Sequence, residues 1–201
     1  MGSEPSKPAP EPRHNRTLSR RRSEKIKRRR NVASKLNLRE SQIQSVELLW
    51  GDARRQGPYE PGRAIIAAIM AKSPEATKVF RAASAQFAPN GTAKEEGDDI
   101  FSHAKRITEA LDFIVSNLRD EDKLETMLSS VGRAHMRFRK LGFTPDMLDI
   151  FAEVMVEKTM DWGNQRKRTA ASHEAWGKIA IYMADELKVG YAQEMKKRKS
   201  F

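Results

Sequence analysis

From Asn37 onward apolar residues recur every three or four positions, with no convincing alternation of period two, so the chain reads as helix after helix. The first predicted helix opens on Asn37 and Glu40, spaced as a capping pair. It carries Ile43, Val46, Trp50 and Ala53 on one face and stops at Gly57 and Pro58. Pro61 suits the first turn of a second helix with Ile65, Ile66, Ile69 and Met70 inward, and Ser73 with Pro74 starts a short third helix expected to end near Phe80. Residues 84–97, which include Pro89, Asn90, Gly91 and Gly97, are predicted to be loop. A long fourth helix enters through Asp98 and Asp99 and lines up Ile100, His103, Ile107, Leu111, Ile114 and Leu118. The fifth, announced by Asp122 and Glu125, carries Leu124, Leu128, Val131, His135 and Phe138 until Gly142 breaks it. Thr144 and Pro145 open the sixth, with Leu148, Phe151, Val154 and Met155 buried and Trp162, Gly163 and Asn164 at its end. The last starts near Ala170 and turns Trp176, Ile179, Met183, Leu187 and Tyr191 inward. The expected fold is all-α, six long helices and a short third one.

Charge divides the chain. Residues 1–37 hold 12 of the 38 Lys and Arg but only 3 of the 27 Asp and Glu, so nearly all of the net charge of +11 lies in front of the helices. Residues 1–36 are also rich in proline and poor in large apolar side chains, and such a segment cannot offset its ordering entropy by burial. The expected organisation is a disordered basic tail over 1–36, a folded domain over 37–195, and a short basic tail over 196–201. A nucleic-acid-binding domain would spread its positive charge over a folded face, and the near-neutral body argues against that function. The absence of cysteine excludes disulfides, zinc-thiolate sites, thiol nucleophiles, iron-sulfur clusters and covalent haem attachment. No apolar run approaches the length of a membrane span, and none follows the basic residues as a signal peptide requires, so a cytoplasmic location is expected, with the nucleus as the alternative. No phosphate-binding loop, H-E-x-x-H or paired nucleophile and base is present, and no dedicated enzyme is read from the sequence.

Of the four histidines, His14 lies in the tail and His173 among polar residues at the start of the last helix. His103 and His135 sit on the apolar stripes of consecutive helices joined by a short connection. Taken alone, either is more often a hydrogen-bonded core residue than a ligand.

The order of residues from Trp50 to Tyr191 resembles the globin family. Trp50 is similar to the tryptophan near the end of that family's first helix, Pro74 to the proline opening its third, and Phe80 to its haem-stacking phenylalanine. His103, Arg106 and Ile107 resemble the distal histidine, a basic residue reaching a haem propionate, and an aliphatic residue over the iron. The stretch from Leu128 through Val131 to His135 resembles the proximal helix, with His135 as the iron ligand. The resemblance implies haem b, with Phe80, Ile107, Val131, Leu141 and Phe143 walling the pocket; a longer connection after His135 blurs which of the last two lines it. It also implies that the second ring nitrogen of His135 donates to a carbonyl one turn back, near Val131, which fixes the tautomer. Ile66 stands where some tight oxygen binders carry a tyrosine. His103 has two readings, a hydrogen-bond donor to a gas ligand or a second iron ligand, and the missing hydroxyl leans toward the second.

Three functions follow. The first is a haem protein of redox signalling or gas sensing, with O2 or NO as ligand and a redox partner. The second is reversible oxygen binding or storage, and the third is a helical adaptor or nucleic-acid-binding protein without haem. Met1 to Ser6 match the N-myristoylation acceptor pattern, although a cloning scar begins the same way. The block Arg20 to Arg30 would supply the second signal that one acyl chain needs on an anionic membrane, at the inner face of the plasma membrane, and Thr17, Ser19 and Ser23 are phosphorylation candidates that would weaken it. The same block also reads as a nuclear localisation signal, a nucleic-acid tether or a solvated arm.

Overall fold

A computed structural model describes residues 35–86 and 98–199, and among these there are seven α-helices and no strand. In chain order they are α1 (Glu40–Arg55), α2 (Glu60–Lys72), α3 (Pro74–Gln86), α4 (Asp98–Ser116), α5 (Glu121–His135), α6 (Met147–Thr159) and α7 (Ala170–Lys199). A 3-10 turn, Met136–Leu141, continues α5 without a break and ends on Gly142 at φ 99°.

Element boundaries follow the sequence signals, with some differences. Asn37 does not cap α1; it sits at φ 42°, and the cap falls on Arg39, whose backbone N–H donates to the Gln42 side chain at 3.1 Å. α3 is not short: after Phe80 come Arg81, Ala82, Ala83, Ser84, Ala85 and Gln86, none of which breaks a helix, and it runs 13 residues. The rest of the expected loop lies outside the described residues. α6 begins at Met147, after a turn that Thr144 and Pro145 open. The compact body begins at Leu36, which is 2 % exposed, so this residue belongs to the core and not to the tail. α7 continues through Lys199, so residues 196–199 end a helix and do not form a separate tail. The expectations for Gly2, His14 and the Arg20 to Arg30 block fall outside the described residues.

Two close crossings set the frame around which the site is built. At the first, Gly62 of α2 lies on α4, and a Cβ added there would overlap the Ala104 carbonyl oxygen. The Gly62 N–H donates to the Thr108 hydroxyl at 3.1 Å, and that hydroxyl donates to the Ala104 carbonyl at 3.0 Å, so the contact is hydrogen-bonded as well as tight. At the second, α5 and α7 exchange glycines: Gly132 faces the Leu187 backbone and Gly190 faces the Ser129 backbone, each with no room for a methyl group. Interiors packed to this density resist sliding, so the crossings hold α4 and α5 in fixed positions.

Packing elsewhere is dominated by rings. Trp50, Trp162 and Trp176 form a triangle with centroids 5.3, 5.3 and 6.5 Å apart, and the Trp50 indole N–H donates to Asp112 at 2.8 Å, tying α1 to α4. Past the end of α6, Trp162 turns into this cluster. The following corner is pinned by Lys167, whose ammonium meets both oxygens of the nearly buried Asp52 at 2.7 and 3.0 Å, and by Arg168, which donates to the carbonyls of Asp161, Trp162 and Gly163.

Candidate functional site

α4 and α5 present two histidines to one another. The ring centroids of His103 and His135 are 6.4 Å apart at an interplanar angle of 74°. Around them the fold gathers residues from separate elements. Phe80 of α3 meets His103 edge-on at 5.3 Å, Phe143 lies 5.2 Å from His135, and Ile107 and Val131 pack partly buried against the core. Of the two residues that the sequence left open, Phe143 lies beside His135. Leu141 sits half-buried at the end of the 3-10 turn and is not among the residues packed on the core. Arg106 is exposed on α4, three residues beyond His103, and its charge bears on that ring. Ile66 is fully buried and brings no hydroxyl to the interior.

The two imidazoles are held differently. His135 Nδ1 lies 2.8 Å from the Val131 carbonyl, one turn back on the same helix. A carbonyl can only accept, so Nδ1 carries the proton and Nε2 keeps its lone pair. His103 has ring neighbours, Phe80 and His135, and no hydrogen bond among the described residues. Burial lowers both pKa values. For His103 it acts with the nearby charges of His135 and Arg106 and brings the value to about 4. For His135 burial is opposed by the Val131 hydrogen bond and assisted by Arg137, and the net shift is again downward. Both rings are thus neutral at pH 7 and able to bind a metal. Each also keeps some accessible surface, as expected of side chains facing a gap between α4 and α5.

The separation is compatible with a shared metal ion. A metal–imidazole bond is about 2 Å long and a ring nitrogen lies about 1 Å from its ring centre, so two imidazoles on opposite sides of one ion have centroids about 6 Å apart. Among the described residues no group of three or more His, Cys, Asp and Glu could hold a metal. Two histidines alone leave a metal ion short of ligands, and a porphyrin would supply the others from its own nitrogens. The residues present therefore fit haem: two neutral imidazoles would hold its iron, Phe80, Ile107, Val131 and Phe143 would wall it, and Arg106 offers a cation at the solvent side.

Some contacts of the site carry no signal of their role in the sequence. Phe138 lies 6.0 Å from His135, Tyr191 packs against Phe143 at 5.8 Å, and Met136, next to His135, is buried. Phe138 and Tyr191 are legible as inward-facing residues of their helices, but nothing in their spacing points to a histidine or to a ring beside it.

Comparison with known proteins bears on the family and the fold. The Globin family model matches residues 63–187. Among curated proteins the chain is 26% identical over 156 residues to "Globin-related protein glb-13" of Caenorhabditis elegans, covering 78% of this chain and 53% of that protein. It is 27% identical over 99 residues to "Cytoglobin-1" of Danio rerio, covering 49% and 56%, and 23% identical over 197 residues to "Globin-like protein 26" of Caenorhabditis elegans, covering 96% and 91%. The matches thus span about half the length of the first two. Among solved structures the chain is similar to a hexacoordinated heme protein from an anhydrobiotic tardigrade, with a TM-score of 0.63 and 16% identity, over 78% of this chain and 97% of that one. Two facing histidines on adjoining helices, an all-helical body and a family match over more than half of its length lead to one statement: the chain belongs to the globin family.

Proposed function

We propose that the protein binds haem b, that His135 and His103 would hold its iron, and that it works in redox signalling or gas sensing. The observation that carries this reading is the 6.4 Å separation of the rings, which matches joint ligation of one iron. Similarity to the tardigrade protein, described as a hexacoordinated heme protein, supports it. When bound, haem supplies one-electron redox chemistry and a site for O2 or NO. The chain's own residues do the rest. The Val131 carbonyl fixes His135 in the tautomer that offers Nε2 and raises its basicity as a ligand. Phe80, Ile107 and Phe143 keep water from the pocket, and Arg106 stands where a propionate would reach solvent. Burial keeps the His103 ring neutral at pH 7, so it would be free to hold the iron and would compete there with an incoming gas. That competition suits a responder better than a store.

The test is the visible spectrum of haem-reconstituted protein, ferric and ferrous, beside His135→Ala and His103→Leu. Split low-spin bands in the ferrous wild type that collapse to a five-coordinate pattern in His103→Leu are expected. A five-coordinate ferrous wild type would instead favour reversible oxygen binding, and absence of haem uptake would overturn the reading. The N-terminal segment is proposed as an anchor at the inner face of the plasma membrane, with Gly2 myristoylated and the Arg20 to Arg30 block as the second signal. Mass spectrometry of the protein from its native cells checks this, and an unmodified Gly2 would remove the lipid from the proposal.

A further inference from the structure

The C-terminal ends of α5 and α7 leave the fold side by side. The two helices run in the same sense. The Tyr182 hydroxyl reaches the Glu121 carbonyl at 3.4 Å, Gly190 meets the Ser129 backbone farther along, and Arg133 donates to Gln193 at 3.4 Å beyond that. Past these contacts α5 becomes the 3-10 turn with Arg137, Arg139 and Lys140, and α7 finishes on Lys196, Lys197, Arg198 and Lys199. With Arg133 this makes eight exposed cations over residues 133–141 and 193–199, where the one carboxylate is Glu194, paired with Arg198 at 2.9 Å.

Helix dipoles do not account for so much charge. A helix C-terminus carries about half a negative charge, so two ends are offset by one or two cations. The excess here is several-fold. A cluster of exposed Arg and Lys with a single paired carboxylate is the composition of a surface that rests on an anionic bilayer, its cations among the headgroups. An acidic protein would meet the same cations. However, they sit on long, flexible side chains spread over two segments, which suits a fluid layer of headgroups better than a fixed set of carboxylates.

We propose that the face formed by the 3-10 turn and the end of α7 binds anionic phospholipid bilayers, in addition to any anchor in residues 1–34. It would set the edge of the molecule next to His135 toward the membrane, and it does not depend on the haem reading. The test uses the full chain with an unmodified N-terminus, sedimented with vesicles of phosphatidylcholine alone or mixed with phosphatidylserine. Wild type is expected to partition onto the mixed vesicles and not the neutral ones. Neutralising Arg139→Gln, Lys140→Gln, Lys197→Gln and Lys199→Gln together should cut that partition several-hundredfold, at about fivefold per charge. All four are exposed, so the thermal midpoint should not move. The charge-preserving pair Arg139→Lys and Lys140→Arg should bind as wild type. Undiminished binding by the neutralised variant overturns the proposal and assigns the membrane to the N-terminal segment. Failure of the wild type to bind phosphatidylserine overturns it in favour of an acidic protein partner.

Discussion

The Val131 carbonyl commits one nitrogen of His135, whereas His103 is held by rings and by its depth in the fold, so the same side chain is given different work at the two positions. Replacing His135 by Ala should abolish stable haem retention, while His103→Leu should keep haem and lose only the sixth ligand; reconstitution followed by gel filtration separates the two outcomes. The depressed pKa of His103 has a second consequence, readable without haem. Above pH 6.5 the ring is neutral in both folded and unfolded chains, and it contributes no pH dependence. Between 6.5 and about 4 the unfolded chain takes up a proton that the folded one refuses, so stability falls as pH falls, and below about 4 the loss levels off. The full effect is about 3 kcal/mol. Urea unfolding of haem-free wild type at about pH 7 and about pH 4.5, either side of most of that window, should show it. His103→Leu should shrink the difference to what His135, whose pKa is also lowered, contributes, and an equal fall in both proteins would refute the role of the His103 ring. Sequence marked both histidines as special through their place in a family pattern. It could not say that Phe143 meets His135, because the chain after a 3-10 turn has no fixed period to extrapolate.

At the scale of elements, hydrophobic spacing located every helix among the described residues, and what it missed are features that spacing does not encode. Gly62, Gly132 and Gly190 lie inside helices, where a glycine reads only as a small loss of propensity. Their role appears once the partner helix is in place: each lets two backbones meet where a methyl group would overlap a carbonyl oxygen. A Gly132→Ala substitution would gain helix propensity and yet should destabilise the protein by about 2 to 3 kcal/mol, since α5 or α7 must shift to admit the methyl group. A control at an open position, Gly177→Ala, meets nothing within 4 Å and should be neutral or slightly stabilising. Chemical denaturation of the two variants decides this, and equal midpoints would mean that the crossing yields without cost. The longer α3 has a similar origin. Helix formers after Phe80 extend it, but a pattern of apolar contacts alone gives no reason to continue.

For the whole molecule, seven stretches of ordinary amphipathic sequence settle into one arrangement around a pair of histidines, and part of the cause lies on the far side from the site. The tryptophan triangle and the Asp52 to Lys167 pair fasten the α6–α7 corner onto α1, which leaves α4 and α5 to be positioned by their glycine crossings. Trp50 and Trp176 were visible in the sequence as inward-facing residues; Trp162 read as a helix terminator, and its membership of the cluster depends on a corner whose path no local signal gives. The two histidines face each other only because these distant contacts fix two helices at once, so ligand and fold should be thermodynamically linked. A molecule that binds the folded chain and not the unfolded one adds about 2.7 kcal/mol when its free concentration is about a hundred times the dissociation constant. For a domain of this size each kcal/mol moves the thermal midpoint by about 2 to 4 °C, so haem should raise it by about 5 to 10 °C. His135→Ala, in which one axial nitrogen is lost but the packing around Met136 and Val131 remains, should unfold near the midpoint of haem-free wild type whether haem is added or not. A wild-type midpoint that stays put on haem addition would show that the gap between the rings, for all its fitting dimensions, is packing and not a binding site.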